Sequence, residues 1–108
     1  SQTVTVYHQN SPGDYTRQVY ERAFLDFRKI QNIDKTGSRE VNSFLLVIPG
    51  DGQMVLPGDK VLLGEGPEIT TREDWSAFIP AKVSGLVVVS YVDQKYWRGR
   101  PVHVEAGG

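Results

Sequence analysis

Histidines and carboxylates are the residues with which this chain of 108 could do chemistry, because it contains no cysteine at all. That absence removes disulfides, thiolate metal sites and thiol nucleophiles together, and it suits an intracellular protein. The only histidines are His8 and His103. They would approach each other if the first and last strands paired, but no third ligand stands at a zinc-site spacing, so each reads as a solitary surface or edge residue. A nucleophile elbow of the form Gly-x-Ser-x-Gly does not occur. The most conspicuous pattern is the triplet Pro-Gly-Asp, present at Pro12–Asp14, Pro49–Asp51 and Pro57–Asp59. A calcium loop needs alternating acids and a terminal Glu, and the stretch from Pro49 to Asp59 offers only Asp51, Asp59 and the amide of Gln53. Turn chemistry accounts for every position instead. Pro presets φ, Gly takes the positive φ that side chains resist, and Asp bonds nearby amides. Gly64-Glu-Gly-Pro67 lacks the Gly-Lys-Ser/Thr of a phosphate loop and is also read as a turn. These residues point to no catalytic centre, no metal and no cofactor.

Two stretches carry side chains suited to contacts. Lys95-Tyr-Trp-Arg-Gly-Arg100 sets cations among aromatics, a combination that can hold a single nucleic-acid strand by stacking or serve a protein interface. Met54, Val55 and Leu56 lie between two turns, where an apolar cluster is either an exposed contact patch or a segment folded back on the core as an extra strand. The interface candidates are therefore Met54, Val55, Leu56, Tyr96, Trp97, Arg98 and Arg100, on the two connections Pro49 to Pro57 and Asp93 to Arg100.

The elements that must position these residues are mostly strands. Thr3–Tyr7 alternates β-branched residues, and Tyr15–Glu21 follows the Asn10–Asp14 turn as the second arm of a hairpin. Ala23–Ile33 is two-sided: Phe24, Phe27, Ile30 and Ile33 recur every three residues as on a helix, yet no cap frames them. With strands on either side we read it as a bent strand. Asp34–Gly37 then makes a hairpin loop into Val41–Ile48, which is apolar on both faces after Ser43 and belongs near the middle of the core. Asp59–Leu63, Gly85–Val92 and Val102–Glu105 supply further short strands. The one helix start lies at Thr70, spaced with Glu73 as a capping box; Glu73 and Asp74 suit the first turn, Pro80 ends the helix, and Trp75, Phe78 and Ile79 form its buried stripe.

About seven short strands with one short helix near residues 71–79 predict a mainly β fold, a small antiparallel barrel or sandwich in a single domain over residues 1–108. The net charge of -1 offers no global field for nucleic acid or membrane. The run Leu86–Val89 is too short to span a bilayer, so a soluble chain is expected.

The order of the pieces resembles the small minor capsid or head-closure proteins, the head-tail connectors of tailed bacteriophages. The likeness rests on Thr3–Tyr7, Arg17-Gln-Val-Tyr20, Ser43–Pro49, Pro57-Gly-Asp-Lys-Val-Leu-Leu-Gly64 and Val89-Ser-Tyr-Val-Asp-Gln-Lys95, which together span most of the chain. The segment Thr71–Pro80 departs from the pattern. The resemblance implies a non-catalytic β-barrel adaptor in the virion, assembled in the host cytoplasm, with portal or adaptor and tail proteins as partners. It implies a homo-oligomeric ring in the particle and a monomer or small oligomer alone, with DNA passing nearby but not specifically bound, and with no membrane. The competing expectation is a stand-alone β-barrel module that binds a small ligand, a sugar or single-stranded nucleic acid.

Overall fold

The structure is a computed structural model that describes residues 1–34, 37–50 and 55–108, with the side chains of residues 28–42 left aside. Its elements are β1 (Gln2–Ser11), β2 (Asp14–Asp34), β3 (Gly37–Pro49), β4 (Lys60–Leu63), α1 (Arg72–Ala77), β5 (Leu86–Val88), β6 (Tyr91–Trp97) and β7 (Arg100–Gly107). The strands form one antiparallel sheet in the order β5-β4-β1-β2-β3-β7-β6. The mainly β expectation holds, and the sheet is open, with β5 and β6 as its edges, so it is an open barrel or a sandwich.

β2 gives the fold its shape. Its first part, to Ala23, pairs with β1, and the remainder, from Phe24 to Asp34, pairs with β3. The residues that recur every three positions here are thus strand residues, and the chain passes from one half of the sheet to the other without leaving the strand. The loop expected after Asp34 includes Lys35 and Thr36, which lie outside the described residues; the register closes around it with Asp34 opposite Gly37. One half of the sheet (β5, β4, β1 and the start of β2) thus folds over the other (the rest of β2, then β3, β7 and β6). Between them Val4, Val6, Val61, Leu46, Ile48, Val104 and Ala106 share one buried core. Alternation decides which side chains reach it: on β3, Phe44, Leu46 and Ile48 are buried while Leu45 and Val47 are half-exposed. Each fully buried Leu, Ile or Val contributes roughly 1.5–3 kcal/mol.

The run Gly85–Val92, expected as one strand, is two. β5 pairs with β4 at one edge of the sheet, whereas β6 pairs with β7 at the other, and only Val89 and Ser90 join them. Backbone bonds fasten this crossing to both halves: Val89 N donates to Asp59 O at 2.9 Å and Ser90 N to Gly107 O at 2.7 Å. The expected connection Asp93 to Arg100 is likewise mostly strand, a hairpin of β6 and β7 with a short tip.

A second, smaller core lies on the outer side of the β1 half. Tyr7, Ile69, Phe78 and Leu86 are buried there beneath α1, with Tyr7 edge-on to Phe78 and Tyr15 stacked on Trp75. The helix begins one residue later than expected. Its cap is Thr71, whose hydroxyl accepts from Asp74 N at 3.0 Å, in place of the Thr70–Glu73 box; Asp74 Oδ2 in turn accepts from Thr70 N at 3.4 Å. Within the helix no residue is fully buried, and Phe78, its C-cap, makes the deep contact. No helix among the described residues is long and apolar enough to cross a membrane.

Candidate docking surface

The glycines of the Pro-Gly-Asp triplets all have positive φ, 88° at Gly13, 102° at Gly50 and 91° at Gly58. That bears out the turn reading, while Asp51 to Met54 lie outside the described residues. In the third copy Asp59 N donates to Leu56 O at 3.0 Å, closing the turn, and Asp59 Oδ2 accepts from Leu56 N at 2.8 Å. Sequence reasoning missed what its other oxygen does. Asp59 is 2% exposed and its Oδ1 lies 2.5 Å from His8 Nδ1. A carboxylate oxygen accepts, so Nδ1 is the protonated ring nitrogen. His8 therefore pins the turn to β1 and is not solitary. The first and last strands do not pair, because β2 and β3 lie between β1 and β7, so the condition for His8 to meet His103 is not fulfilled. Among the described residues no cluster of His, Cys, Asp or Glu is fit to hold a metal.

Lys60 is also buried, and the reason is local. Its Nζ donates to Trp75 O at 2.6 Å and sits 4.1 Å from the Trp75 ring centre. Burial lowers its pKa below that of an ordinary lysine, since removing an ammonium from water disfavours the charged form. The loop after β4 is held just as firmly. Thr5 Oγ1 donates to Gly64 O at 2.7 Å and accepts from Gly66 N at 2.9 Å. Arg17 donates to Gly66 O from Nε and Nη2. A Cβ on Gly66 would meet the Tyr7 hydroxyl and Leu62 Cδ2. These contacts hold the scaffold together.

The candidate interface residues separate under this geometry. Val55 is 4% exposed and belongs to the main core, which removes it from the surface. Leu56 is 41% exposed, Met54 lies outside the described residues, and the segment from Val55 to Gly58 is not an added strand. The β6–β7 hairpin instead brings its candidates together. Trp97 pairs with Arg100 across the tip, and Arg98 (φ 51°) and Gly99 (φ 78°) both take left-handed backbone. Two consecutive positive φ values match a two-residue primed turn, the form whose twist suits paired strands. Tyr96 and Trp97 are 64% and 65% exposed, the highest values among the large hydrophobic residues described. Arg98 lies 5.6 Å from the Trp97 ring centre.

Behind the tip, Lys95 holds Asp93 at 2.7 Å and Glu105 at 3.3 Å across the two strands, which raises its pKa through the hydrogen bond to Asp93 first. A separate apolar groove of about 500 Å³ lies at the other end of the sheet, with Phe27, Phe44, Pro80, Val83, Leu86 and Val88 among its walls. Comparison with protein-family models, with curated proteins and with solved structures finds no match.

Proposed function

We propose that the protein is a non-catalytic assembly module, a head-closure or head-tail connector adaptor of a tailed bacteriophage, that engages its neighbours through the β6–β7 hairpin. The observation that carries this reading is the hairpin tip. Tyr96 and Trp97 stand exposed beside Arg98 and Arg100 on a short, paired support, and Trp, Tyr and Arg are the residues that most often dominate interfaces. The resemblance of strand order and motifs adds the rest: a ring of copies under the portal, joined to tail proteins, in the virion, around DNA that it does not grip.

The test uses the portal rings of the same genome, whose gene this reading requires near this one. The double variant Trp97→Ala/Arg98→Ala is expected to keep cooperative unfolding near the wild-type melting temperature and to lose co-sedimentation with those rings. Retained binding, or a genome with no portal gene near this one, overturns the reading. The exposed Trp97 beside a guanidinium also fits a module that stacks single-stranded nucleic acid. Salt-sensitive quenching of Trp97 fluorescence by oligonucleotides, without portal binding, would select that alternative.

A further inference from the structure

Two surfaces of this molecule complement each other, yet they cannot meet within one copy. The first is the outer face of the β2–β3–β7–β6 half. α1 packs on the other half, over Tyr7 and Leu86, and no element covers this face among the described residues. Register places Asp26, Leu45, Gly107 and Tyr91 in one row across the four strands, and Phe24, Val47, Glu105 and Asp93 in the next. Phe24 and Tyr91 are each 52% exposed, and the Tyr91 ring lies over Gly107 so closely that a Cβ there would clash with it. An apolar strip thus crosses the sheet, edged by the carboxylates of Asp93 and Glu105, two acids that share the single ammonium of Lys95.

The second surface is the hairpin tip, aromatic like the strip but opposite in charge. Arg98 and Arg100 have no carboxylate partner among the described residues. The tip and the strip sit at opposite ends of one rigid ladder. From Tyr91 to Trp97 at about 3.4 Å per residue they stand roughly 20 Å apart, so the tip cannot fold back on its own face.

We infer that this face is the seat for the hairpin tip of a second copy of the chain. Trp97 of one copy, which shares the outward side of β6 with Tyr91, lies along the apolar strip of the other, and Arg98 and Arg100 reach its Asp93 and Glu105. When two such faces stack with their strands antiparallel, each tip meets the other's strip, so the same contact forms twice, as a two-fold pair requires. Opposite charge fixes the register, while the aromatic burial holds it. The inference concerns the chain alone and stands apart from the phage reading.

A charge swap tests it. Sedimentation of the wild-type chain is expected to show a reversible dimer. Arg98→Glu/Arg100→Glu at the tip and Asp93→Lys/Glu105→Lys on the face should each weaken it by about tenfold or more. Mixed in equal amounts, the two variants should regain dimers, which native mass spectrometry would identify as the mixed species, because one contact is then reversed in both partners and the other is native, each opposite in sign. As the chain has no cysteine, Arg98→Cys and Asp93→Cys give an independent measurement that does not rely on reversed charge. The mixture should cross-link under mild oxidation faster than either variant alone. A wild-type chain that stays monomeric up to roughly 1 mM, charge variants that dimerise unchanged, or a mixture that neither re-forms dimers nor cross-links preferentially overturns the inference. The face variant keeps its tip, so portal binding by that monomer would leave the adaptor reading standing whichever way this test falls.

Discussion

Tyr7 is wholly buried between β1 and the loop after β4, and its hydroxyl donates to Pro67 O at 2.8 Å. Burial raises its pKa above the ordinary phenol value of 10.0, with Arg17 pulling the other way. A raised folded-state pKa means that the stability Tyr7 contributes is fully present below the unfolded value and is lost as pH rises through the folded one. Tyr7→Phe should therefore cost about 1 kcal/mol or more near neutrality, where Pro67 O is left without its donor. The gap from wild type should narrow above pH 10.0, where the phenol ionises in the unfolded chain before it does in the folded one. Urea unfolding at the two pH values measures both, and a constant gap would contradict the assignment. At this scale the sequence was least legible. His8 and Asp59 are 51 positions apart, and no local signal says that β1 and β4 will lie side by side.

Helix α1 tests how far local rules reach. Either Thr70 or Thr71 can serve as a cap by residue type, and the neighbouring Glu73 and Asp74 offer a partner to each. The structure selects Thr71 because its hydroxyl takes Asp74 N while Phe78 turns into the small core at the other end. Thr71→Ala should lower stability by about 1 kcal/mol in thermal unfolding, and Thr70→Ala by only a few tenths. The reverse order would move the cap back. Most elements were readable because their cues are local: alternation in Thr3–Tyr7, Gly at the turns, Pro80 after the helix. The β5–β6 break was not, since Leu86–Val92 is apolar but for Ser90 and only distant partners, β4 and β7, divide it. Val55 was misread for the same reason, because its burial depends on a core assembled from every other part of the chain.

The two halves of the sheet share β2 and one core, so they should not melt separately. In a Trp97→Phe background the remaining indole, Trp75, reports the small core under α1, and far-UV circular dichroism reports all strands. The two denaturation curves should coincide, as a single cooperative transition requires; an earlier loss of the Trp75 signal would show the halves parting. The crossing at Val89–Ser90 bears on how such a chain can change. Val87 and Val89 face the core two residues apart, as a strand dictates, but the next inward residue is Val92, three positions on. Ser90 and Tyr91 are both exposed. The crossing is a parity slip: it converts an odd-numbered inward series into an even-numbered one, so that Val92 and Gln94 turn in and Tyr91, Asp93 and Lys95 turn out. A single-residue deletion or insertion at this point would invert β6 along its length, bringing Asp93 inside and Val92 out, whereas a change of two residues would preserve the sense of every rung. Lineages of this fold should therefore vary in length here, if at all, by even steps.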